Sequence, residues 1–405
     1  MSVILGILFV AIATSVGWAV RGEWGNWWGE TVPGAIAGMA IWAAFGASTD
    51  GWQLIAFGAA LSIAHTIGGE ISYGHIVSYI VSRRSLLDGK RTGPENRSPL
   101  YGLLSLFIVG GMIGLFPSAA LGLLMTEVGY SLGDLALWGT LAALGAFLFY
   151  KLVVTGIGFR LSPPRYDYWA ATLGGSLATF AYFHLLAGDA VVVRTLVIGW
   201  LGYGIGFSVG GIIHRRACHA RSKLDSWKWM EHSVGFFGGL ALGTSAALVT
   251  GPIEPLELSQ TWKFASLLVV AWFVPHLILT DVFQDWTFRA WQPGTAISRS
   301  LDEVGPNFKR DGWRRIASRR TFLLFQVISL VSLPIFLLAS IRLTELWDGS
   351  SWWLFPLAIL LVLYVSIGIL KFLPVQRDRA KLVTQVTFVV MVAACLLLLH
   401  LLQPH

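Results

Sequence analysis

The chain has 405 residues, of which 55% are hydrophobic and 13% charged, and its formal net charge is +7. A soluble chain of that length suggests about two or three domains, and that charge a nucleic-acid partner. Apolar runs of about 20 residues, the thickness of a bilayer's hydrocarbon core, exclude both readings. Cys218 and Cys395 lie far apart without a CxxC partner, so neither a disulfide framework nor a cysteine metal site is expected.

The first segment, MSVILGILFVAIATSVGWAV, resembles a signal peptide only superficially. It lacks a basic n-region, and the RGEWGNWWGE that follows is no cleavage site, so it reads as a span. Further spans are predicted near 32–48, 53–68, 100–124, 132–150, 168–187, 191–213, 232–250, 262–280, 321–341, 353–371 and 382–402. The expected fold is therefore an all-α polytopic integral membrane protein of about 12 transmembrane helices. With these spans, Arg194, Lys263 and Arg342 fall on one side and the remaining 26 of 29 basic residues on the other. The basic side is expected to be cytoplasmic, with both termini outside, in the cell inner (plasma) membrane.

The first 250 residues read as one hairpin design used repeatedly. Spans 1, 5 and 7 each end in G-x-x-x-R, from Gly17 to Arg21, Gly156 to Arg160 and Gly211 to Arg215. A carboxylate then opens the next span ahead of small residues: Glu30 before PGAIAG, Asp167 before Gly174 and Gly175, Glu231 before Gly238 and Gly239. The second hairpin departs from this, with Glu70 and His75 in GGEISYGH and a basic loop over 83–97. Small residues four apart share a helix face and allow close backbone approach. An acid in the first turn suits the positive end of the helix dipole. Four such hairpins would direct Arg21, Glu23, Glu30, Glu70, Arg160, Arg165, Asp167, Glu231 and His232 into one cytoplasm-facing vestibule.

Residues 251–405 read as a second unit. Its loop 281–320 is polar and basic, with Trp286, Trp291 and Trp313 interspersed, as expected of amphipathic helices lying on anionic lipid. The last three spans are almost purely apolar and read as packing or homo-oligomerisation elements.

Three segments concentrate chemistry. RGEWGNWWGE places Arg21, Glu23, Trp27, Trp28 and Glu30 within ten residues. An interfacial aromatic belt would look similar, but ionisable groups beside two spans also mark a ligand site. RLSPPRYDYW sets Asp167 between Arg165 and the aromatic faces of Tyr168 and Trp169. DSWKWMEHS adds Trp229, Glu231 and His232. His214, His219 and Asp225 lie nearby without a recognised ligand spacing, so neither a metal nor another cofactor is expected. His65 reads as a hydrogen-bonded structural histidine one turn before Glu70. No Walker loop, dinucleotide fingerprint, nucleophile elbow or potassium-filter sequence occurs.

Two functions fit. One is an intramembrane hydrolase of glycosidase type, acting on a glycolipid or other carbohydrate. Such cleavage needs paired carboxylates, and Asp167 with Glu231 is the expected pair, Glu30 the reserve. Tryptophans would bind sugar faces, and Arg21, Arg160 and Arg165 would orient the substrate. The other is a secondary transporter of a polar or anionic solute, for which many spans, repeats and a polar centre are suited. The expected partners are the lipid bilayer and a lipid-linked or small polar substrate, with no nucleic acid.

Overall fold

The computed structural model describes residues 2–24, 30–69, 73–81, 98–159, 169–219, 226–249 and 251–273. Among them the regular structure is helical: α1 (Val3–Trp24), α2 (Thr31–Phe45), α3 (Gly51–Gly69), α4 (Gly74–Val81), α5 (Pro99–Met125), α6 (Leu132–Tyr150), α7 (Trp169–Ala181), α8 (Ala190–His219), α9 (Ser226–Ala247) and α10 (Gln260–Leu267). Helices α6, α7 and α10 run on through π-helical turns at Lys151–Gly156, Tyr182–Leu186 and Leu268–Phe273. The stretches Val3–Arg21, Pro99–Met125, Gly133–Gly156 and Ala190–Ala217 are each long and apolar enough to cross a membrane. The expected spans beyond residue 280 and the loop 281–320 lie outside the described residues.

Helix ends follow local chemistry. Ser98 accepts a hydrogen bond from the Tyr101 amide at 3.1 Å, and Pro99 follows it at the first helical position, where a missing N–H does no harm. Ser131 and Asp134 form a reciprocal capping box at the start of α6. Asp189 caps α8 through the Val191 and Val192 amides at 2.9 and 3.0 Å, while its other oxygen accepts from Thr126 and Tyr130. One carboxylate thus fixes both the helix start and its neighbour.

Six of the described helices close into a ring. Helix α1 packs on α2, α2 on α3, α3 on α5, α5 on α8, α8 on α9, and α9 back on α1. Glycine rows make this approach possible. Gly235, Gly239 and Gly243 lie four apart on α9 and meet α1 at Ser15, Ala11 and Ile7, while Gly202, Gly206 and Gly210 on α8 meet α9 at Ala241, Val234 and Met230. A Cβ on Gly239 would sit 2.7 Å from the Ala11 Cα, so any larger residue would push the helices apart. Close van der Waals contact of this kind is the expected means of association for helices long and apolar enough to cross a membrane. The partner numbers rise as the glycine numbers fall, so these neighbours run antiparallel.

Large aromatic side chains fill the ring where glycine leaves room. Tyr203 lies against Gly114 of α5 and Gly238 of α9, and Phe207 lies against Gly110. Both are fully buried, as is Trp18. Short α4 lies on α5 and α8, and α10 lies on α3. Ahead of α10, Ile253 pairs with the backbone of Phe45 and Ala47. Gln53 then clamps Leu256, donating to its carbonyl at 2.7 Å and accepting from its amide at 2.9 Å. The α6–α7 hairpin packs chiefly on itself, with Gly145 against Gly174, and touches the ring through α5 and α8.

Candidate functional site

The ring buries charge at one end. Arg21 lies in the last turn of α1 and Glu30 stands at the N-cap of α2. A carboxylate there would ordinarily bond to the first amides of its helix. Glu30 makes no such cap bond; its Oε1 lies 2.9 Å from Arg21 Nε, and the residue has no exposed surface. Arg21 also reaches Glu231 of α9, with Nη1 3.6 Å from Oε1, and it donates a hydrogen bond to the Tyr73 hydroxyl. One guanidinium therefore joins two carboxylates from separate helices, the multi-donor task that suits arginine better than lysine.

Aromatic faces enclose that guanidinium. Arg21 Cζ lies 5.2 Å from the ring centroids of both Trp18 and Tyr73, within cation–π range. Burial pushes the Tyr73 phenol above its ordinary titration range, against the opposing pull of Arg21, so the tyrosine stays neutral. The spacing explains Trp18, three residues before Arg21 and hence on the same face of α1.

On the α9 side, Lys228 lies one turn before Glu231, its Nζ 3.5 Å from Oε2, and it donates to the Ala19 carbonyl at 2.7 Å. Among the described residues, two cations and two carboxylates meet here. A partnered group is the form in which ions can be buried at tolerable cost. His232 follows, with Nδ1 3.0 Å from the Ser15 hydroxyl, which donates to the His232 carbonyl at 2.9 Å. Since that hydroxyl gives its proton to the carbonyl, Nδ1 serves as donor to Ser15, and Nε2 keeps its lone pair. This bond ties α1 to α9.

Toward the middle of the ring lies His65 of α3. Its Nδ1 is 4.0 Å from Glu30 Oε2, and its Nε2 is 2.8 Å from the Tyr203 hydroxyl. Trp18 packs against His65, Tyr203 and Phe207, meeting Phe207 edge-on at 5.7 Å. His65 is thus hydrogen-bonded, as expected, but its acidic neighbour is Glu30.

Of the residues predicted from sequence, the structure joins Arg21, Glu30, Glu231 and His232 around one centre. Trp229 lies beside His232, with ring centroids 6.1 Å apart, and Trp169 packs edge-on against Phe159 at the start of α7. Glu23 is on the last turn of α1. Trp27, Trp28, Glu70, Arg160, Arg165, Asp167 and Tyr168 lie outside the described residues. Sequence reasoning missed Ser15, Trp18, Tyr73, Tyr203 and Lys228. Helical spacing signals two of them, since Trp18 precedes Arg21 and Lys228 precedes Glu231 by three residues. Comparison with protein-family models, curated proteins and solved structures returns no match.

Proposed function

We propose that the chain is a polytopic membrane carrier that moves a small polar anion through the six-helix ring. Arg21 is its solute-binding cation, and Glu30 and Glu231 are the internal counter-ions that occupy Arg21 when solute is absent. The carrying observation is the guanidinium itself: buried, faced by Trp18 and Tyr73, and held between carboxylates of two different helices. Ionisable groups inside a membrane bundle are expensive and mark solute or ion pathways. Sites built where helices start and stop, as at the Arg21 end of α1 and the Glu30 end of α2, are the habit of secondary transporters.

In this reading about 12 spans cross the plasma membrane, with the basic loops in the cytoplasm, both termini outside and the loop 281–320 resting on anionic lipid. A solute carboxylate or phosphate would replace the glutamate oxygens on Arg21 by the same charge-assisted hydrogen bonds. Trp18 and Tyr73 supply flat apolar surface beside it, suited to a sugar acid.

A second reading has one observation in its favour. Glu30 and Glu231 meet at a single cation, and paired carboxylates are what glycoside cleavage uses. It ranks lower because both acids are engaged by cations, whereas that reaction needs one of them to carry a proton for the leaving oxygen. Asp167, the acid first expected to pair with Glu231, lies outside the described residues.

Sealed and unsealed preparations separate the two. Purified protein is reconstituted into proteoliposomes and offered labelled sugar acids, dicarboxylates and phosphorylated sugars, and in parallel is incubated in micelles with a glycolipid panel. Uptake that Arg21→Gln abolishes, with no sugar released in micelles, is the expected result. Sugar release that depends on Glu231, without uptake of any labelled anion, would replace the carrier with a hydrolase.

A further inference from the structure

Among the described residues, Glu30 is faced by Arg21 on α1, His65 on α3, Tyr73 ahead of α4 and Tyr203 on α8, and Arg21 links it to Glu231 and Lys228 on α9. Its two oxygens face different partners. Oε1 lies 2.9 Å from the Arg21 guanidinium, and Oε2 lies 4.0 Å from His65 Nδ1. The second separation is too long for a hydrogen bond. Among the described residues, neither Glu30 Oε2 nor His65 Nδ1 has any other hydrogen-bond partner, and both residues are without exposed surface. Two buried polar atoms thus face each other across a gap that a small shift would close.

The far side of His65 is already engaged, with Nε2 2.8 Å from the Tyr203 hydroxyl. A neutral imidazole carries one N–H and one lone pair, and a phenol both donates and accepts. The pair therefore has two arrangements. Tyr203 can donate to Nε2 while Nδ1 presents its proton to a charged Glu30. Alternatively Nε2 donates to Tyr203 while Nδ1 presents its lone pair to the O–H of a protonated Glu30. The same three residues accommodate either form of the acid by reversing one hydrogen bond.

We infer that Glu30 binds one proton when a solute anion takes over Arg21, so that anion and proton move together, with the His65–Tyr203 pair holding either form of the acid. This rests on the carrier reading. The reason is charge balance. With solute absent, Arg21 is shared by Glu30 and Glu231, and Lys228 lies against Glu231. An anion on Arg21 adds one negative charge beside buried side chains, and an uncompensated buried carboxylate is costly. A proton from the aqueous phase that supplied the solute removes the imbalance. One O–H bond forms at Glu30, none breaks within the protein, and the arrival of anion and proton together leaves the charge of the cluster unchanged. On release the proton leaves and Glu30 returns to Arg21. His65 acts here as a positioning residue.

Infrared difference spectroscopy tests this without knowing the solute. Arg21→Met removes the cation as an arriving anion would. At neutral pH it should show a protonated-carboxyl band that the wild type lacks and that Arg21→Met/Glu30→Gln also lacks. Adding His65→Phe to Arg21→Met should shift that band's frequency, an effect that a purely structural histidine would not produce. No band in Arg21→Met, or a band that persists undiminished in the double variant, overturns the assignment. Should the arginine variants not fold, a dye count of protons on the wild-type protein decides: one proton taken up per labelled anion bound supports the inference, and none overturns it. In proteoliposomes, anion accumulation indifferent to an acid-outside gradient would overturn the coupling and leave the carrier standing. A complete lack of anion movement would remove the carrier and leave the infrared bands to decide the protonation of Glu30.

Discussion

The six-helix ring and the α6–α7 hairpin are built from the same small-residue contacts, yet among the described residues the buried ion pairs all lie in the ring. Gly145 meets Gly174 in the hairpin much as Gly239 meets Ala11 in the ring. Among the described residues, the hydrogen bonds between the hairpin's two helices join neutral groups: the Trp138 indole donates to the Thr179 hydroxyl at 3.1 Å, and the Tyr182 hydroxyl to the Asp134 carbonyl at 3.1 Å. The ring instead encloses Arg21, Glu30, Lys228 and Glu231. Close packing is thus common to both regions, and what distinguishes the ring is a closed circle of helices able to supply counter-ions from opposite sides. A two-helix hairpin has no second side.

The sharpest way to break that contrast is to remove the shared cation. Arg21→Ala leaves two carboxylates buried without it and should destabilise the protein by about 3–5 kcal/mol, the range for breaking a buried pair. Thermal unfolding in detergent would measure this, and adding Glu30→Gln should restore part of the loss because one stranded charge is gone. If the double variant is no more stable than the single one, the charge pairing is not what holds the cluster.

Packing gives the next effect. Gly239→Ala places its Cβ against the α1 backbone, and overpacking of this kind costs about 1–3 kcal/mol. Gly139→Ala in α6 meets nothing within 4 Å among the described residues, so its stability should change by less than about 0.5 kcal/mol. Equal effects at the two sites would show that the close approach of α9 to α1 does not depend on Gly239. A loss between these two belongs to the hairpin's own hydrogen bond: Trp138→Phe should cost about 0.5–1.5 kcal/mol in the same assay and leave anion exchange at the wild-type rate.

The helices were legible because hydropathy and turn chemistry are local. The span expected over 100–124 is the helix Pro99–Met125, and that over 191–213 lies within Ala190–His219. Helix α4, at Gly74–Val81, was not foreseen, because eight residues carry too little periodicity to stand out beside long apolar runs. The site was legible in part. Arg21, Glu30 and Glu231 announced themselves as charges at span ends, and their meeting needed only adjacent hairpins. Tyr203 could not be read, since a tyrosine between glycines in a long apolar helix is ordinary core sequence until the ring brings it to His65 from 138 residues away. Ser15 and His232, 217 residues apart, are similar. Such pairings are set by which helices close the ring, and no local pattern encodes that order.

Solute exchange across proteoliposomes, compared among the wild type, Arg21→Lys and Trp138→Phe, bears most directly on Arg21 as the solute cation of the ring. Lysine keeps the charge and loses the planar fork that two acids now share. Exchange of the transported anion should need at least roughly tenfold more solute for half-maximal rate in Arg21→Lys, about 1.4 kcal/mol of lost binding, while Trp138→Phe matches the wild type. Wild-type affinity in Arg21→Lys, or an equal loss in both variants, would contradict the assignment of the solute to Arg21.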